Sequence, residues 1–430
     1  MTQSKIVFVV STNGEAKLAN TVKQVLEVQN MGEVFAISTG TISKEDLDQT
    51  PDKALADFGI PFKNLLDFGT KNIAEILKSE QPGIVIVGSD QEFVKRAFVY
   101  AAKGLRIPSL LLQLGMSSDV ANVPSTAIKR TTYRLSHYFG NILHKYLYLL
   151  RTIIGLRWSV FKIISMILKD MKIAFSTDDA RGRFGCQSVA VSSSYEKQVL
   201  IKRGVSKDDI FITGSPEFDN LSQLSKKPVS STVYKSLGIN KQDKVILLLT
   251  SAFVEHGWWS PDMRAEFVTG IIDSMTPLLN ESTRLVIKIH PIENLDDYRI
   301  IVNQREENVI LRKDVALSDV INMSDIIISS YSTTVLEACV LGKPAIILNI
   351  FGDPEYLPYV DLGLATGVYN LEKLTKAVEG ILYDEVTRAA ALDNASKFLN
   401  SNKQITDGKA ALRIADLIVK FAGLKSIIPS

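Results

Sequence analysis

The residues best suited to chemistry lie in one short segment that is rich in hydroxyl groups. The segment follows the apolar run 326–328, which is β-branched and bounded by turn formers, as buried parallel strands are. Its five small hydroxyl residues are Ser329, Ser330, Ser332, Thr333 and Thr334. Hydroxyl groups and unpartnered backbone N–H groups at the start of a helix can bind a phosphate. A simple N-cap needs one hydroxyl, so five of them favour an anion-binding loop over a cap.

The elements on either side of this loop must position it. A helical pattern over 335–341 ends at Gly342-Lys343-Pro344, and a second apolar strand is predicted over Ala345–Leu348. Together they predict a strand–helix–strand unit with parallel strands. Because open parallel sheets bind ligands at the carboxyl ends of their strands, we expect the hydroxyl loop to lie at the ligand-binding edge.

The segment resembles the donor-binding segment of GT-B glycosyltransferases. The residues that carry the resemblance are Ser330-Tyr331-Ser332-Thr333, Glu337-Ala338 and Gly342-Lys343-Pro344. It implies that Ser332 and Thr333 contact the pyrophosphate of a nucleotide-sugar and that Glu337 contacts the ribose. Ser330 and Thr334, on either side, are further candidates for the same donor site. The segment is also similar to the UDP-N-acetylglucosamine 2-epimerases, which share the two-domain fold, and to the polyol-phosphate (CDP-glycerol) transferases of wall teichoic acid synthesis.

Length and composition indicate a globular protein of two domains. A chain of 430 residues exceeds a single ordinary core. Hydrophobic residues make up 46% and charged residues 22%, a balance that argues against intrinsic disorder. Cys186 and Cys339 lie far apart in apolar surroundings, as reduced packing cysteines do, which favours the cytoplasm. The N-terminus enters a strand-like run without the apolar stretch of a signal peptide, so no secretory signal is expected.

The N-terminal half alternates predicted strands and helices, which indicates a parallel sheet covered by helices on both faces. Strand Lys5–Val10 leads into a turn with the single glycine Gly14 rather than a three-glycine fingerprint. A plain tight turn is the simpler interpretation. In GT-B enzymes this turn borders the acceptor cleft, which makes Asn13 and Gly14 candidate site residues.

Asp90 follows a predicted strand at a position where a polar side chain faces the crevice, and it is a candidate catalytic residue. The 2-epimerases resemble this half too, with a strand that ends in Gly-Asp and a later strand that ends in Glu, but here Gln113 stands in place of that Glu. Because an amide cannot take up a proton as a carboxylate does, this departure argues against epimerase chemistry. Gly214 and Ser215, with Asp219, resemble the end of the N-terminal half in GT-B and epimerase chains and join the donor-binding candidates.

Two of the four histidines follow predicted strands of the second half. An isolated histidine is more often structural, but His256 and His290 would both face the cleft at the carboxyl edge. His290-Pro291 resembles a motif of bacterial sialyltransferases, polysialyltransferases and polyol-phosphate transferases. The resemblance implies that His290 holds the donor phosphate or assists the leaving group. Glu255 and His256 are further catalytic candidates, which would border the acceptor or steady the donor.

Residues 129–172 differ in composition from the rest of the chain. They contain nine Lys and Arg residues but only one acid, Asp170, interleaved with aliphatic and aromatic residues. No uncharged run reaches the roughly 18 residues of a spanning helix. A basic amphipathic segment suits the headgroup layer of an anionic membrane. A helical pair packed on the domain, or a surface that forms a homodimer, is the alternative, and the excess of apolar residues argues against nucleic acid.

These observations predict an α/β protein of GT-B fold, with two doubly wound Rossmann-like domains facing a cleft and a basic amphipathic helical insertion at about 125–175. The expected domains are 1–221 on the acceptor side and 236–402 for the donor, separated by a polar segment, and 403–430 forms a helix that crosses back to the first domain.

The predicted function is transfer of a sugar from a nucleotide-sugar, the donor substrate, to a surface-polysaccharide or lipid-linked acceptor. We expect the enzyme in the cytoplasm or on the inner face of the cell membrane. No Asp-x-Asp pair lies near the donor segment, so we invoke no metal, and no permanently bound cofactor is expected. A 2-epimerase and a polyol-phosphate transferase are the alternatives, and a non-catalytic membrane-bound binding protein of the same fold is a possibility of a different class.

Overall fold

Two parallel β-sheets covered by helices form the framework of the protein. The computed structural model describes residues 4–40, 51–113, 143–175, 182–225, 227–255, 257–302, 308–353, 355, 357–424 and 427, with the backbone alone for 170–175. The described residues divide into two compact units. Unit 1 comprises those within 1–117, 131–219 and 407–430, and unit 2 comprises those within 220–406.

The sheet of unit 1 has seven parallel strands in the described residues. They are β1 (Lys5–Val10), β2 (Glu33–Ser38), β3 (Phe62–Asn64), β4 (Ile84–Val87), β5 (Ser109–Leu112), β6 (Ser188–Val191) and β7 (Ile210–Ile212). Their spatial order is β3-β2-β1-β4-β5-β6-β7, so the chain runs outward from β1 to β3 and resumes at β4 on the other side of β1. The carboxyl ends of β1 and β4 therefore flank the point where the strand order reverses, and sheets of this kind bind ligands there.

Side-chain alternation along the strands builds an apolar core on both faces of this sheet. Val7 and Val9 of β1 pack in one cluster, whereas Ile6, Phe8 and Val10 pack in the other. All five side chains are at most 3% exposed. A strand buried on both faces needs a nearly continuous apolar run, which is why β1 and β4 consist almost entirely of Val, Ile and Phe.

Helices connect the strands of unit 1. They are α1 (Asn13–Val28), α2 (Asp52–Asp57), α3 (Ile73–Glu80), α4 (Phe93–Leu105), α5 (143–155 in the described residues), α6 (Val160–Phe175), α7 (Ser194–Lys202) and α8 (Pro216–Leu224), within which the unit boundary falls. Side-chain caps fix where some of them begin. The Thr12 hydroxyl accepts the N–H of Glu15 at 3.2 Å, and Ser193 forms a reciprocal capping box with Glu196.

Unit 2 has six parallel strands in the described residues. They are β8 (Lys244–Leu249), β9 (Thr283–Lys288), β10 (Val309–Arg312), β11 (Ile326–Ser329), β12 (Ala345–Leu348) and β13 (Thr366–Val368). The spatial order is β10-β9-β8-β11-β12-β13, so the chain again runs outward, from β8 to β10, and resumes at β11 on the other side of β8. The strand order of this sheet therefore reverses between β8 and β11.

The helices of unit 2 pack on this sheet. They are α9 (Ser231–Leu237), α10 (Pro261–Met275), α11 (Leu295–Val302), α12 (Leu317–Met323), α13 (Thr334–Val340), α14 (Leu374–Tyr383) and α15 (Glu385–Ser401). Ile246 and Leu248 of β8 share a fully buried cluster with Ile271 of α10. Ser260 caps α10 by accepting the N–H of Met263 at 3.2 Å, so a local polar contact sets where this core helix begins.

The last helix, α16 (Ala410–Phe421), belongs to unit 1. Its residues Ile414 and Ile418 are at most 3% exposed and join the apolar cluster of α1. The carboxylate of Asp219 caps its start, accepting the N–H of Ala410 at 3.0 Å and that of Ala411 at 2.9 Å. Asp219, which belongs to the resembling segment, thus anchors the C-terminal helix.

The structure agrees with the sequence at the central strands and differs at the edges. Strands β1 and β12 have the predicted bounds, whereas the sequence does not predict β3, β10 or β13. These three are short edge strands whose residues are mostly half-exposed, so no continuous apolar run marks them. The polar segment 222–235, expected only to interrupt the pattern, contains the end of α8 and the start of α9, because Ser230 caps α9.

The described part of the basic segment is helical and packs on unit 1 through one face. Tyr148, Leu149 and Ile153 of α5 are at most 2% exposed and lie in the core cluster. The buried hydroxyl of Thr152 accepts the N–H of Ile73 at 3.0 Å. In the part of the chain that the structure describes, no helix is both long and apolar enough to span a bilayer.

Candidate active site

The candidate site of unit 2 lies at the carboxyl ends of its strands. Thr250 and Ser251 follow β8, His290 comes two residues after β9, and Ser329 is the last residue of β11. Neighbouring strands lie about 4.8 Å apart. Because β9, β8 and β11 are successive neighbours, these residues share the edge at which the strand order reverses.

The hydroxyl loop, residues 329–334, leads from β11 into α13. Ser332 is half-buried and Thr333 is exposed, whereas Ser330 is only 2% exposed. The Ser332 hydroxyl accepts the N–H of Thr334 at 3.3 Å. The helix spans seven residues, and one of its first N–H groups already has a side-chain partner. This helix start therefore offers fewer N–H donors than the sequence predicts, and the accessible hydroxyls are the main candidate donors.

Three hydroxyl oxygens at this edge are buried and have no hydrogen-bond partner among the residues that the structure describes. They belong to Ser251, Ser329 and Thr334. A buried hydroxyl without a partner costs about 1–3 kcal/mol, and most such groups in native proteins are satisfied. A cluster of them in two neighbouring loops is typical of a site whose hydrogen bonds a polar ligand completes. Glu337, predicted to contact the ribose, is half-buried on α13.

Two side chains hold the backbone of His290. Its N–H donates to Thr250 Oγ1 at 2.9 Å and to Glu293 Oε2 at 3.1 Å. Glu293 is fully buried, also accepts the Thr250 hydroxyl, and accepts the Tyr298 hydroxyl at 2.6 Å. Burial raises the pKa of the Glu293 carboxyl, although these hydrogen bonds oppose the shift. Nδ1 of His290 accepts the N–H of Ile292 at 3.4 Å, which assigns the proton of a neutral imidazole to Nε2.

Glu255, a catalytic candidate, forms an ion pair with Arg264 of α10. The distance from Arg264 Nη1 to Glu255 Oε1 is 2.8 Å, and Nη2 lies 2.5 Å from Asp297 Oδ2. The same guanidinium is 4.0 Å from the buried Glu293. Arg264 thus ties the loop after β8 to the loop after β9. His256, the other candidate in this loop, lies outside the described residues.

The loop after β12 is organised by Asn349. Its amide donates to the Asp353 carbonyl at 2.7 Å and accepts the Asp353 N–H at 2.9 Å. The Asp353 carboxylate in turn accepts the indole N–H of Trp259 at 2.8 Å. Burial raises the pKa of Tyr331, and the nearby Glu355 raises it further. The loop after β12 is therefore next to the hydroxyl loop.

Three of the predicted catalytic and donor-binding residues belong to unit 1. Asp90 is fully buried, and its oxygens accept the N–H groups of Gly182 at 2.9 Å and Phe184 at 3.0 Å. The prediction that Asp90 faces the crevice is therefore wrong, because the carboxylate is buried and binds the backbone N–H groups of Gly182 and Phe184. Burial raises the pKa of Asp90. Gly214 has a φ of 80°, which favours glycine. Ser215 is 5% exposed just before α8.

A buried ion pair that the sequence analysis misses lies at the strand reversal of unit 1. Lys95 Nζ lies 2.6 Å from Glu15 Oε1, 2.7 Å from Ser11 Oγ and 3.0 Å from Glu92 Oε1. Burial lowers the pKa of Lys95, but attraction to the two carboxylates outweighs this and raises it. A Cβ on Gly88 would lie 2.1 Å from Glu15 Oε1, so a glycine there makes room for the pair. The only sequence signal is the Ser-Thr-x-x-Glu capping pattern at 11–15.

Gln113, the residue that departs from the epimerase pattern, donates its amide to Glu196 Oε1 at 2.9 Å. Glu196 is fully buried and its other oxygen accepts the N–H of Ser192 at 2.7 Å. An ionised carboxylate at position 113 could not donate this hydrogen bond. Gln113 therefore satisfies a structural carboxylate.

The comparison with protein families decides the class of the protein. A family model described as CDP-glycerol:poly(glycerophosphate) glycerophosphotransferase matches residues 178–420, which is more than half of the chain and includes all of unit 2. The chain belongs to this family. As a member of the glycerophosphotransferase family it is a transferase, so the predicted enzyme class and the resemblance to polyol-phosphate transferases are confirmed. No curated protein matches the chain.

Solved structures similar to this glycerophosphotransferase-family protein extend over nearly its whole length. A protein described as a UDP-N-acetylglucosamine 2-epimerase from Listeria monocytogenes has 17% identity and a TM-score of 0.61, covering 99% of this chain and 100% of its own. The 2-epimerase of Methanocaldococcus jannaschii, crystallised with UDP-N-acetylglucosamine and UDP, has 17% identity and a TM-score of 0.58, covering 97% of this chain and 99% of its own.

A glycosyltransferase from Rickettsia africae has 15% identity and a TM-score of 0.55, covering 98% of this chain and 100% of its own. At such identities the similarity shows the fold alone. It confirms the predicted α/β architecture, a two-domain GT-B-like fold with two parallel sheets.

Proposed function

We propose that this protein transfers a polyol phosphate, of the glycerol phosphate class, from a CDP-linked donor to a hydroxyl group of a glycan or lipid-linked acceptor. The observation that carries the proposal is the hydroxyl-lined edge of unit 2. There the buried hydroxyls of Ser251, Ser329 and Thr334 have no partner among the described residues, and Ser332 and Thr333 are accessible beside them. The oxygens of a diphosphate are the acceptors that such hydroxyl donors require. The family match, which spans this whole unit, supports the assignment.

The proposed reaction is a displacement at phosphorus. The acceptor's hydroxyl oxygen attacks the phosphorus atom of the glycerol phosphate group. A P–O bond forms to the acceptor, the bond from that phosphorus to the bridging oxygen breaks, and CMP leaves with the electron pair. The acceptor's proton passes to a general base. Because negative charge grows on the bridging oxygen as the bond breaks, fixed donors at that oxygen stabilise the transition state more than the ground state.

The residues of unit 2 would divide these tasks. Ser332 and Thr333 would donate hydrogen bonds to the diphosphate, and Glu337 would take the ribose hydroxyls. His290 would donate from Nε2 to the leaving phosphate. It is suited to this role because Glu293 holds its backbone N–H at 3.1 Å and the contact at Nδ1 selects the tautomer that carries a proton on Nε2. Donors fixed before the reaction need no reorganisation as charge develops.

Transfer of a sugar from a nucleotide-sugar is the second candidate. It is favoured by the aromatic surface near the loop after β12, where Trp258 is 41% exposed and Tyr369 is 52% exposed. The Tyr369 hydroxyl donates to Glu355 at 2.7 Å, so polar groups border the aromatic faces, as suits a sugar ring. In sugar transfer the bond that breaks joins the sugar carbon to the diphosphate, and a nucleoside diphosphate leaves.

The leaving nucleotide distinguishes these reactions. Purified protein would be incubated with an acceptor and with either CDP-glycerol or UDP-N-acetylglucosamine, and the nucleotides would be separated by anion-exchange chromatography. We expect acceptor-dependent release of CMP from CDP-glycerol. Release of UDP from the sugar donor, without CMP from CDP-glycerol, would replace the proposal with sugar transfer. Interconversion of UDP-sugars without release would indicate a 2-epimerase, and binding without turnover would indicate a non-catalytic protein.

We infer further that α5 and α6 place the enzyme on an anionic membrane surface, at the cytoplasmic face. Their exposed large apolar residues, between 49% and 86% exposed, are Leu143, Ile154, Val160, Phe161, Ile164 and Leu168. The exposed cations of these helices and the turn between them are Arg151, Arg157, Lys162 and Lys169. Residues 143–169 contain no Asp or Glu. Exposed apolar groups interleaved with cations alone match the headgroup layer of an anionic bilayer.

Co-sedimentation with vesicles tests this inference. Wild-type protein should sediment with phosphatidylglycerol vesicles and much less with phosphatidylcholine vesicles. Phe161→Glu, at an 86% exposed position, should abolish most of the binding. Val386→Glu is the matched control, because Val386 is an apolar residue that is 77% exposed on α15. Equal sedimentation with and without vesicles would contradict membrane binding. Equal loss of vesicle binding in Phe161→Glu and Val386→Glu would show that α6 is not the specific membrane contact.

A further inference from the structure

A second charged site lies beyond the donor loop, at the carboxyl ends of β9 and β10. We propose that this site, the edge pocket, binds a phosphodiester group of the acceptor. The proposal rests on the proposed function, because it names the acceptor class of that reaction. The pocket has a volume of about 710 Å³, and Pro291, the residue after His290, forms part of its wall. Arg299, Arg312 and Lys313 line it together with a single acid, Asp314.

The cations of the edge pocket keep most of their charge available. Arg299 pairs with Asp296 at 2.7 Å, but both side chains are more than half exposed, so water screens the pair. Arg312 donates to the carbonyl of Leu311 at 2.9 Å. Lys313 donates to the carbonyl of Glu293 at 2.7 Å. Backbone carbonyls satisfy donors without cancelling their charge, so the pocket remains positive.

A buried cation adds to the positive charge of the edge pocket. Lys288, the last residue of β9, is 7% exposed, and its ammonium donates to the carbonyls of Ile289 at 3.0 Å and Lys313 at 2.8 Å. Burial lowers the pKa of Lys288; Asp314 opposes the shift, and the Lys313 ammonium adds to it. Cations gathered at one edge of the sheet favour a ligand that carries negative charge.

The donor's own diphosphate cannot fill this pocket while it binds the hydroxyl loop. The loop follows β11, whereas the pocket follows β9 and β10, and β8 lies between β9 and β11. Two to three strand spacings amount to about 10–14 Å, which exceeds the span of one diphosphate. The anion bound here therefore comes from another molecule.

The chemistry of the proposed reaction indicates what that molecule is. Each transfer joins the glycerol phosphate group to the acceptor as a phosphodiester, which keeps one negative charge and ends in a new hydroxyl group. The product of one turnover is thus an anionic acceptor for the next. A cationic pocket beside His290 would hold an earlier phosphodiester while the terminal hydroxyl reaches the donor.

The test compares two acceptors that end in the same polyol hydroxyl, a glycerol phosphate oligomer and an uncharged analogue, at saturating CDP-glycerol. Arg299→Glu reverses the exposed charge on α11, and we expect it to raise KM for the oligomer about tenfold or more. KM for the uncharged acceptor and for CDP-glycerol should not change. Added salt should weaken the wild-type preference for the oligomer.

Two controls match this variant. Arg299→Lys keeps the charge and should behave nearly as the wild type. Lys397→Glu reverses an equally exposed cation that pairs with Asp393 at 2.7 Å on α15, and it should leave all three KM values unchanged. Equal effects of Arg299→Glu on both acceptors, or no effect on either, would overturn the edge pocket as an acceptor site.

A binding measurement separates this proposal from the proposed function. If the wild type releases no CMP from CDP-glycerol, the function is wrong, and calorimetry with the glycerol phosphate oligomer alone still tests the pocket. Binding about tenfold weaker in Arg299→Glu than in the wild type supports the pocket, and equal binding overturns it. A third measurement adds inorganic phosphate as a competitor of the oligomer. If phosphate binds the pocket as tightly as the oligomer does, the pocket is a general phosphate site, and the acceptor assignment is overturned.

Discussion

The two sheets reverse their strand order in the same way, but their carboxyl edges differ in how polar groups are satisfied. At the reversal in unit 1, Glu15 and Lys95 lie 2.6 Å apart and are almost fully buried. At the reversal in unit 2, buried hydroxyls of Ser251, Ser329 and Thr334 have no partner among the described residues. Strand order creates a crevice in both cases. Side chains then decide whether the protein completes the hydrogen bonds of that crevice itself or leaves them for a ligand.

This difference predicts different costs for mutation at the two edges. A fully satisfied buried network stabilises the fold, and removing one member exposes the rest to a desolvation penalty. Removing a hydroxyl from a loop with incomplete hydrogen bonds should change stability little. The effect of that mutation should appear as weaker binding of the ligand. Variants at each edge therefore test whether stability or ligand affinity changes.

The largest effect is expected for Glu15→Ala. The substitution leaves Lys95 buried with only the more exposed Glu92 to pair with, because the side chain of Lys95 is 1% exposed. We expect the free energy of unfolding of unit 1 to fall by about 3–5 kcal/mol. Hydrogen–deuterium exchange of peptides from β1 and β4 measures this locally.

The double variant Glu15→Leu/Lys95→Met is the matched control. It removes both charges at similar volume, and it should recover most of the lost stability. If the single variant were as stable as the double, the pair would not be the element that holds this edge together.

Glu293→Ala should have the next largest effect, at a part of unit 2's edge where the buried carboxylate is paired. It leaves the buried Tyr298 hydroxyl without its acceptor and removes one of two contacts to the His290 N–H. We expect unfolding free energy to fall by about 2–3 kcal/mol, and CMP release to slow as His290 loses its support. Denaturant unfolding and the release assay measure the two effects.

Glu255→Ala is the control for that variant. Glu255 is 24% exposed and shares Arg264 with Asp297, so its loss leaves no buried charge alone. Its effect on stability should stay below about 1 kcal/mol. A larger loss of stability in Glu255→Ala than in Glu293→Ala would show that Glu255, and not Glu293, is the carboxylate that stabilises this edge.

The sequence predicts the central strands and the hydroxyl loop because their signals are local. β8 and β12 are continuous apolar runs, and Ser329 to Thr334 are adjacent in the chain. The ion pair of Glu15 and Lys95 is different, since its partners are 80 residues apart and meet only when β1 and β4 become neighbours. Glu293 is similar: it lies three residues after His290, but its contacts with Thr250 come from another strand. The role of a side chain that depends on which strands become neighbours cannot be predicted from the spacing of residues along the sequence.

The double variant Ser332→Ala/Thr333→Ala should change binding and not stability. Ser332 is half-buried and Thr333 is exposed, so the variant should unfold within about 0.5 kcal/mol of the wild type. Loss of hydrogen bonds to a charged diphosphate should weaken the binding of CDP-glycerol by about 1–3 kcal/mol in calorimetry. Unchanged affinity would show that the accessible hydroxyls do not bind the donor. Thr232→Ala, which removes an exposed hydroxyl from α9, is the control.

The smallest effect, and the finest contrast between the edges, is in the pH dependence of stability. Burial raises the pKa of Glu293, so the folded protein keeps this proton at a pH where the unfolded chain has lost it. The Glu293 contribution to stability should therefore fall as pH rises from about 4.5 through the raised pKa, and Glu293→Gln should lack this fall. The pKa of Lys95 is also raised, so its contribution to stability likewise falls as pH rises, but in an alkaline range: it is complete below about 10.5 and is lost as pH rises through the folded pKa. Unfolding measured from acid to alkaline pH for the wild type, Glu293→Gln and Lys95→Met should separate the two edges, and parallel profiles for all three proteins would contradict both assignments.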